Sequence, residues 1–66
     1  MRILARKANK NGVEYALSQD GDLFSVWKLC SNYDRHAPDG IRRVWRYIER
    51  GLDRPAADAL YARRSK

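Results

Sequence analysis

The stretch GIRRVWRYIERGLDR, Gly40 to Arg54, decides how this chain is read, because it sets five arginines around one Trp, one Tyr and an aliphatic stripe. Ile41, Val44, Trp45, Ile48 and Leu52 recur at i, i+3, i+4, i+7 and i+11, the spacing of one buried helical face. Asp39 stands where an N-cap would. The spacing therefore predicts a long helix that opens near Gly40 and weakens at Gly51. Arg42, Arg46 and Arg50 would line its outer face along roughly 12 Å of axis. Arg43 and Tyr47 would flank that row, and Arg54 would continue it.

Beyond the stretch, Asp53 reads as a fresh N-cap, and Pro55 falls in a first turn, where a missing N–H costs little. AADALYARR then predicts a short second helix with Ala57, Leu60 and Tyr61 on one side. Arg63 and Arg64 suit its C-terminal end electrostatically.

Upstream the pattern is that of strands. Residues 2–8, RILARKA, form a first strand bounded by NKNG, whose Asn11-Gly12 is a dipeptide suited to a type I′ hairpin turn. VEYALS alternates, with Val13, Tyr15 and Leu17 on one side, so it predicts a half-buried second strand. After a turn in QDGD, LFSVWKLC predicts a third strand, the most buried of the set. A polar connection, SNYDRHAPDG, leads to the helices. The expected fold is α+β: a three-stranded antiparallel meander followed by one long and one short helix, β-β-β-α-α, as a single small basic domain over 1–66.

A chain of 66 residues hides only roughly 60% of its unfolded surface, so its stability margin is thin. Its 44% hydrophobic and 33% charged residues are globular proportions. The single Cys30 excludes an internal disulfide, and no Cys/His spacing suits structural zinc, so neither metal nor cofactor is expected. No apolar stretch approaches the roughly 20 residues that span a bilayer, and the first ten residues have too short an apolar core for a signal peptide. A cytoplasmic protein without membrane contact is expected.

The charge is uneven. Residues 1–39 hold six Lys and Arg against five Asp and Glu; residues 40–66 hold eight against three. With a net charge of +6, anionic partners are favoured, nucleic acid first and an acidic protein surface second. The expected function is that of a small non-enzymatic binding protein. It would contact DNA or RNA, or a nucleic-acid-processing complex, through the arginine-lined helix. The candidate binding residues are Arg42, Arg43, Arg46, Tyr47, Arg50 and Arg54, with Lys7 and Lys10 of the first hairpin and Tyr33 and Arg35 of the connection. Guanidinium groups bind phosphate oxygens bidentately, which is the chemistry this set offers.

A second reading is a protein-interaction module or inhibitor of the phage or plasmid accessory type, docking on an acidic surface of a larger machine. Exposed Arg beside aromatics is a composition enriched at interface hot spots. A third is a metal-independent ribonuclease that uses His36 beside Tyr33, Asp34 and Arg35. Trp27 and Trp45 are both expected in the core. The pattern leaves oligomeric state open, a homodimer included.

Overall fold

The computed structural model describes residues 1–66 and contains four strands and one helix: β1 (Arg2–Ala8), β2 (Glu14–Asp20), β3 (Leu23–Tyr33), β4 (Ile41–Leu52) and α1 (Arg54–Arg64). The strands form one antiparallel sheet in the order β1-β2-β3-β4. The expected three-strand, two-helix arrangement is thus corrected to four strands and one helix. The class, α+β, is as expected.

The correction lies wholly in the Ile41–Leu52 stretch, which is a strand and not a long helix. Ile41, Val44, Trp45, Tyr47 and Ile48 are the β-branched and aromatic types that suit a pleated surface. What selects the strand is its neighbour. In the β3–β4 register Cys30 meets Val44, Leu29 meets Trp45, Trp27 meets Tyr47 and Phe24 meets Leu52, so apolar side chains face one another across strands. Asp39 does not cap a helix here. Its Oδ1 accepts the Ile41 N–H at 3.0 Å and so steers the chain from the loop into β4.

Two register shifts, between Phe24 and Val26 and between Val26 and Trp27, bulge β4 at Arg50–Gly51 and at Ile48. Gly51 supplies the positive φ of +72° that this kink needs. The first hairpin also differs from expectation. Only Gly12, and not Asn11, has a positive φ, so the turn is not type I′. Asn9 closes it instead: its Oδ1 accepts the N–H groups of Asn11 and Val13 at 2.9 and 3.0 Å.

The C-terminal helix forms where the sequence places it. Asp53 Oδ1 accepts the Ala56 N–H at 2.9 Å, Pro55 lies in the first turn, and Arg63 and Arg64 occupy the last. Ser65 closes the end by donating both its N–H and its hydroxyl to the Tyr61 carbonyl. Ala57 and Leu60 of α1 pack with Leu17, Phe24 and Val26 as the buried core, and Leu4, Ala5, Ile48, Leu52 and Tyr61 rim it. The most buried strand is β2 and not β3, because Tyr15, Ala16, Leu17 and Ser18 are all buried in sequence. Being interior to the sheet, β2 is covered on both faces, by α1 on one and by side chains from β3 and β4 on the other.

Lengths explain what remains bare. An 11-residue helix is about 16 Å long. A 12-residue strand is about 40 Å, close to the 39 Å long axis of the molecule. The helix therefore covers only one end of one face.

Candidate functional site

Strand alternation sorts the candidate residues onto two faces, which a helix would have merged. On the helix-bearing face a cross-strand row runs Lys7, Tyr15, Lys28 and Arg46, with Arg42 further along opposite Asn32. On the opposite face, which no helix covers, lie Arg6, Ala16, Trp27 and Tyr47 in one row, then Leu29 with Trp45, Ser31 with Arg43, and Tyr33 with Ile41.

The expected arginine row is therefore divided. Arg42 and Arg46 lie on one face, while Arg43 lies on the other and Arg50 reaches over Tyr47 on that same side. Arg54 is not part of either group. It opens α1, pairs with Asp58 at 3.0 Å and covers the Phe24 ring. Lys10 is in the first hairpin turn, and Arg35 is exposed in the β3–β4 loop. His36 is exposed in that loop too, its N–H donating to Asp34 Oδ1 at 2.9 Å. Trp45, expected in the core, is 37% exposed, and Tyr47 and Tyr33 are 48% and 85% exposed.

The open face is built around Trp27. Its indole N–H donates to the buried Ser18 hydroxyl at 2.7 Å, which fixes the ring plane. Tyr47 stacks on it with centroids 3.7 Å apart and planes inclined by 29°. The Arg50 guanidinium lies 5.3 Å from the Tyr47 centroid, continuing the stack with a cation. On the other side of Trp27, Arg6 is held by Glu14 (2.8 Å) and sits 5.2 Å from the Trp45 ring centroid.

Arg6 is on β1 and Trp45 on β4, so the two reach toward one another across the sheet above Ala16. The small side chain of Ala16 leaves room for them. A cavity of about 140 Å³ opens there, lined by Met1, Ile3, Arg6, Ala16, Trp27 and Trp45. Met1, Ile3, Tyr33, Ile41, Trp45 and Tyr47 are six of the seven exposed large apolar residues, and all belong to this face; the seventh, Leu23, starts β3.

Unpaired positive charge lies on both faces, Arg43 and Arg50 on the open one and Lys7, Lys28, Arg42 and Arg46 on the other. The two ion pairs of the molecule are Arg6–Glu14 and Arg54–Asp58, so Arg42, Arg43, Arg46, Arg50, Lys7 and Lys28 have no acidic partner. No group of His, Cys, Asp and Glu side chains is placed to hold a metal ion. No helix is long and apolar enough to cross a membrane.

The sequence reading missed Trp27, Trp45, Arg6 and Lys28 as site residues. The signal available for the first two was the density of aromatic and β-branched residues in β3 and β4, which favours a sheet. Nothing local announced Arg6, which cross-strand register brings to the open face, or Lys28, which the same register sets in the basic row on the reverse face. No family model, curated protein or solved structure matches the chain.

Proposed function

We propose that the protein binds nucleic acid on the open face of its sheet, with β4 as the principal contact strand. The observation that carries this reading is the gathering of exposed aromatic side chains and unpaired arginines on one uncovered face. Rings offer stacking surfaces, and guanidinium groups offer bidentate phosphate contacts. Glu14, the carboxylate beside the Arg6 end of this face, is already neutralised by Arg6. Arg43 and Arg50 are thus left as net positive charge beside Trp45 and Tyr47. The basic row on the reverse face, Lys7, Lys28, Arg42 and Arg46, adds attraction at long range.

The test is binding of labelled single-stranded and duplex oligonucleotides at about 50 mM salt, followed by titration with salt. Affinity should fall linearly on a log–log scale, with a slope set by the number of phosphates neutralised. The double variant Arg43→Glu, Arg50→Glu should bind more weakly and with a shallower slope. If neither nucleic acid binds the wild type, or the double variant binds like the wild type, the reading is wrong.

The apolar lining of the Trp27–Trp45 cavity favours a second reading, docking of a protein partner that inserts a side chain there. Arg and Trp beside a cavity are hot-spot chemistry. Nuclease treatment before affinity capture separates the two, since a protein partner survives it.

A further inference from the structure

We infer that the ligand of the open face is an unstacked single strand, with one base inserted between Trp27 and Trp45 and its phosphates running along β4. This deepens the proposed function and rests on it.

Three observations carry the inference. The first is the cavity, about 140 Å³ and walled by Met1, Ile3, Ala16, Trp27 and Trp45. An apolar cavity of about 150 Å³ accommodates a benzene ring, so the space is on the scale of a single flat ring. It is open to solvent at the sheet surface, and Arg6 supplies its one charged wall. A guanidinium only donates hydrogen bonds, so it suits the carbonyl edge of a base.

The second is spacing. Trp45 and Tyr47 are two residues apart on one strand, so their roots are separated by about 6.7 Å. Bases stacked in a duplex rise by about 3.4 Å per step. Tyr47 is already stacked on Trp27 and covered by Arg50, so a base that reaches Trp45 has no free ring beside it for its neighbour and must be splayed away from that neighbour, as bases are in single strands.

The third is shape. Four strands spaced about 4.8 Å apart make a face at least 14 Å across. The major groove is about 12 Å wide, so the aromatic rows of the whole face cannot enter it together. Arg43 and Arg50 lie on the β4 side, before Trp45 and after Tyr47 respectively. Phosphates held by these two leave the bases pointing inward over Trp45 and toward Ala16.

The experiment compares three ligands of equal length for the wild-type protein: a single-stranded oligonucleotide, its blunt duplex, and a strand of the same sugar-phosphate chain in which every site is abasic. Binding is read by fluorescence anisotropy and by quenching of tryptophan emission. The single strand should bind tightest and quench, and the abasic strand should bind at least about fivefold more weakly, the loss of one stacked base or more. Trp45→Ala should weaken single-strand binding by roughly 5- to 150-fold, again the loss of one stacked base. It should leave abasic-strand binding unchanged, a comparison that also reports whether the variant is folded.

Equal binding of the normal and abasic strands overturns the base slot while leaving nucleic-acid binding intact. So does tighter binding of duplex, as a β3–β4 ribbon lodged in a groove would give. If none of the three ligands binds, the proposed function falls with the inference. A stable dimer in sedimentation, with Trp27 and Trp45 shielded from acrylamide, would also overturn the inference, because a second copy would then occupy the face.

Discussion

Ser18→Ala tests whether the aromatic stack is held by the sheet beneath it. Ser18 is 1% exposed, and its hydroxyl is the acceptor for the Trp27 indole N–H at 2.7 Å. Alanine removes the acceptor without changing strand register. An indole N–H left unpaired at a partly buried site costs about 1–3 kcal/mol. For a domain of 60–100 residues, each kcal/mol moves the melting temperature by about 4–8 °C. A loss of about 2 kcal/mol should therefore lower Tm by roughly 8–16 °C.

The assay is urea and thermal unfolding followed by far-ultraviolet circular dichroism, with Trp27→Phe and the double variant completing a cycle. In the Trp27→Phe background no indole N–H remains to be orphaned, so Ser18→Ala should cost little or even relieve the now unpaired hydroxyl. The coupling energy should be at least about 1 kcal/mol. If the two substitutions simply add, the hydrogen bond does not anchor Trp27 and the reasoning fails. Because Tyr47 stacks on Trp27, Ser18→Ala should also weaken single-strand binding, though less than Trp45→Ala does.

Three further outcomes follow from the fold. Asp53→Ala removes the side chain that accepts the Ala56 N–H and should destabilise the protein by about 1 kcal/mol in urea unfolding, with Asp53→Asn closer to wild type. Gly51→Ala places a Cβ at a φ of +72° and should cost about 1–2 kcal/mol in the same assay; the added methyl would meet no heavy atom within 4 Å, so the cost is backbone strain and not a clash. Burial raises the Tyr61 phenol above its ordinary pKa of 10.0. The unfolded chain therefore ionises first, and stability from this group is complete below pH 10.0 and lost as pH rises through the folded value. The stability of wild type relative to Tyr61→Phe should be constant from about pH 6 to 9 and decline above about pH 10.

Much of the fold was legible because its signals are local. Tyr15 and Leu17 alternate as a strand does. Asp53, Pro55, Ala57 and Leu60 carry the cap, first turn and buried stripe of α1 within a few residues. Gly40–Leu52 was not legible in the same way. Ile41, Val44, Trp45, Ile48 and Leu52 satisfy the helical spacing, yet neither alternate set of β4 is uniformly apolar. Arg42 and Arg46 intervene on one face, where α1 is too short to demand burial. Arg43 intervenes among exposed aromatics on the other. The bulges at Ile48 and at Arg50–Gly51 then break what period of two remains.

The amino-acid sequence alone determined that the chain is basic toward its C-terminal part, that three strands precede the stretch and one capped helix follows it, and that arginines and aromatics are concentrated together. Those are properties of composition and short-range spacing. Only the tertiary structure decided that IRRVWRYIERGL is a strand, because the choice depends on its pairing with β3, whose side chains it must match. That pairing splits Arg42 and Arg46 from Arg43 and Arg50 and turns Trp45 outward. It also carries Arg6 from the far edge of the sheet to the tryptophan. The physical reason is the periodicity: a helix gathers residues four apart, whereas a strand divides neighbours between two faces and leaves register to bring distant residues together.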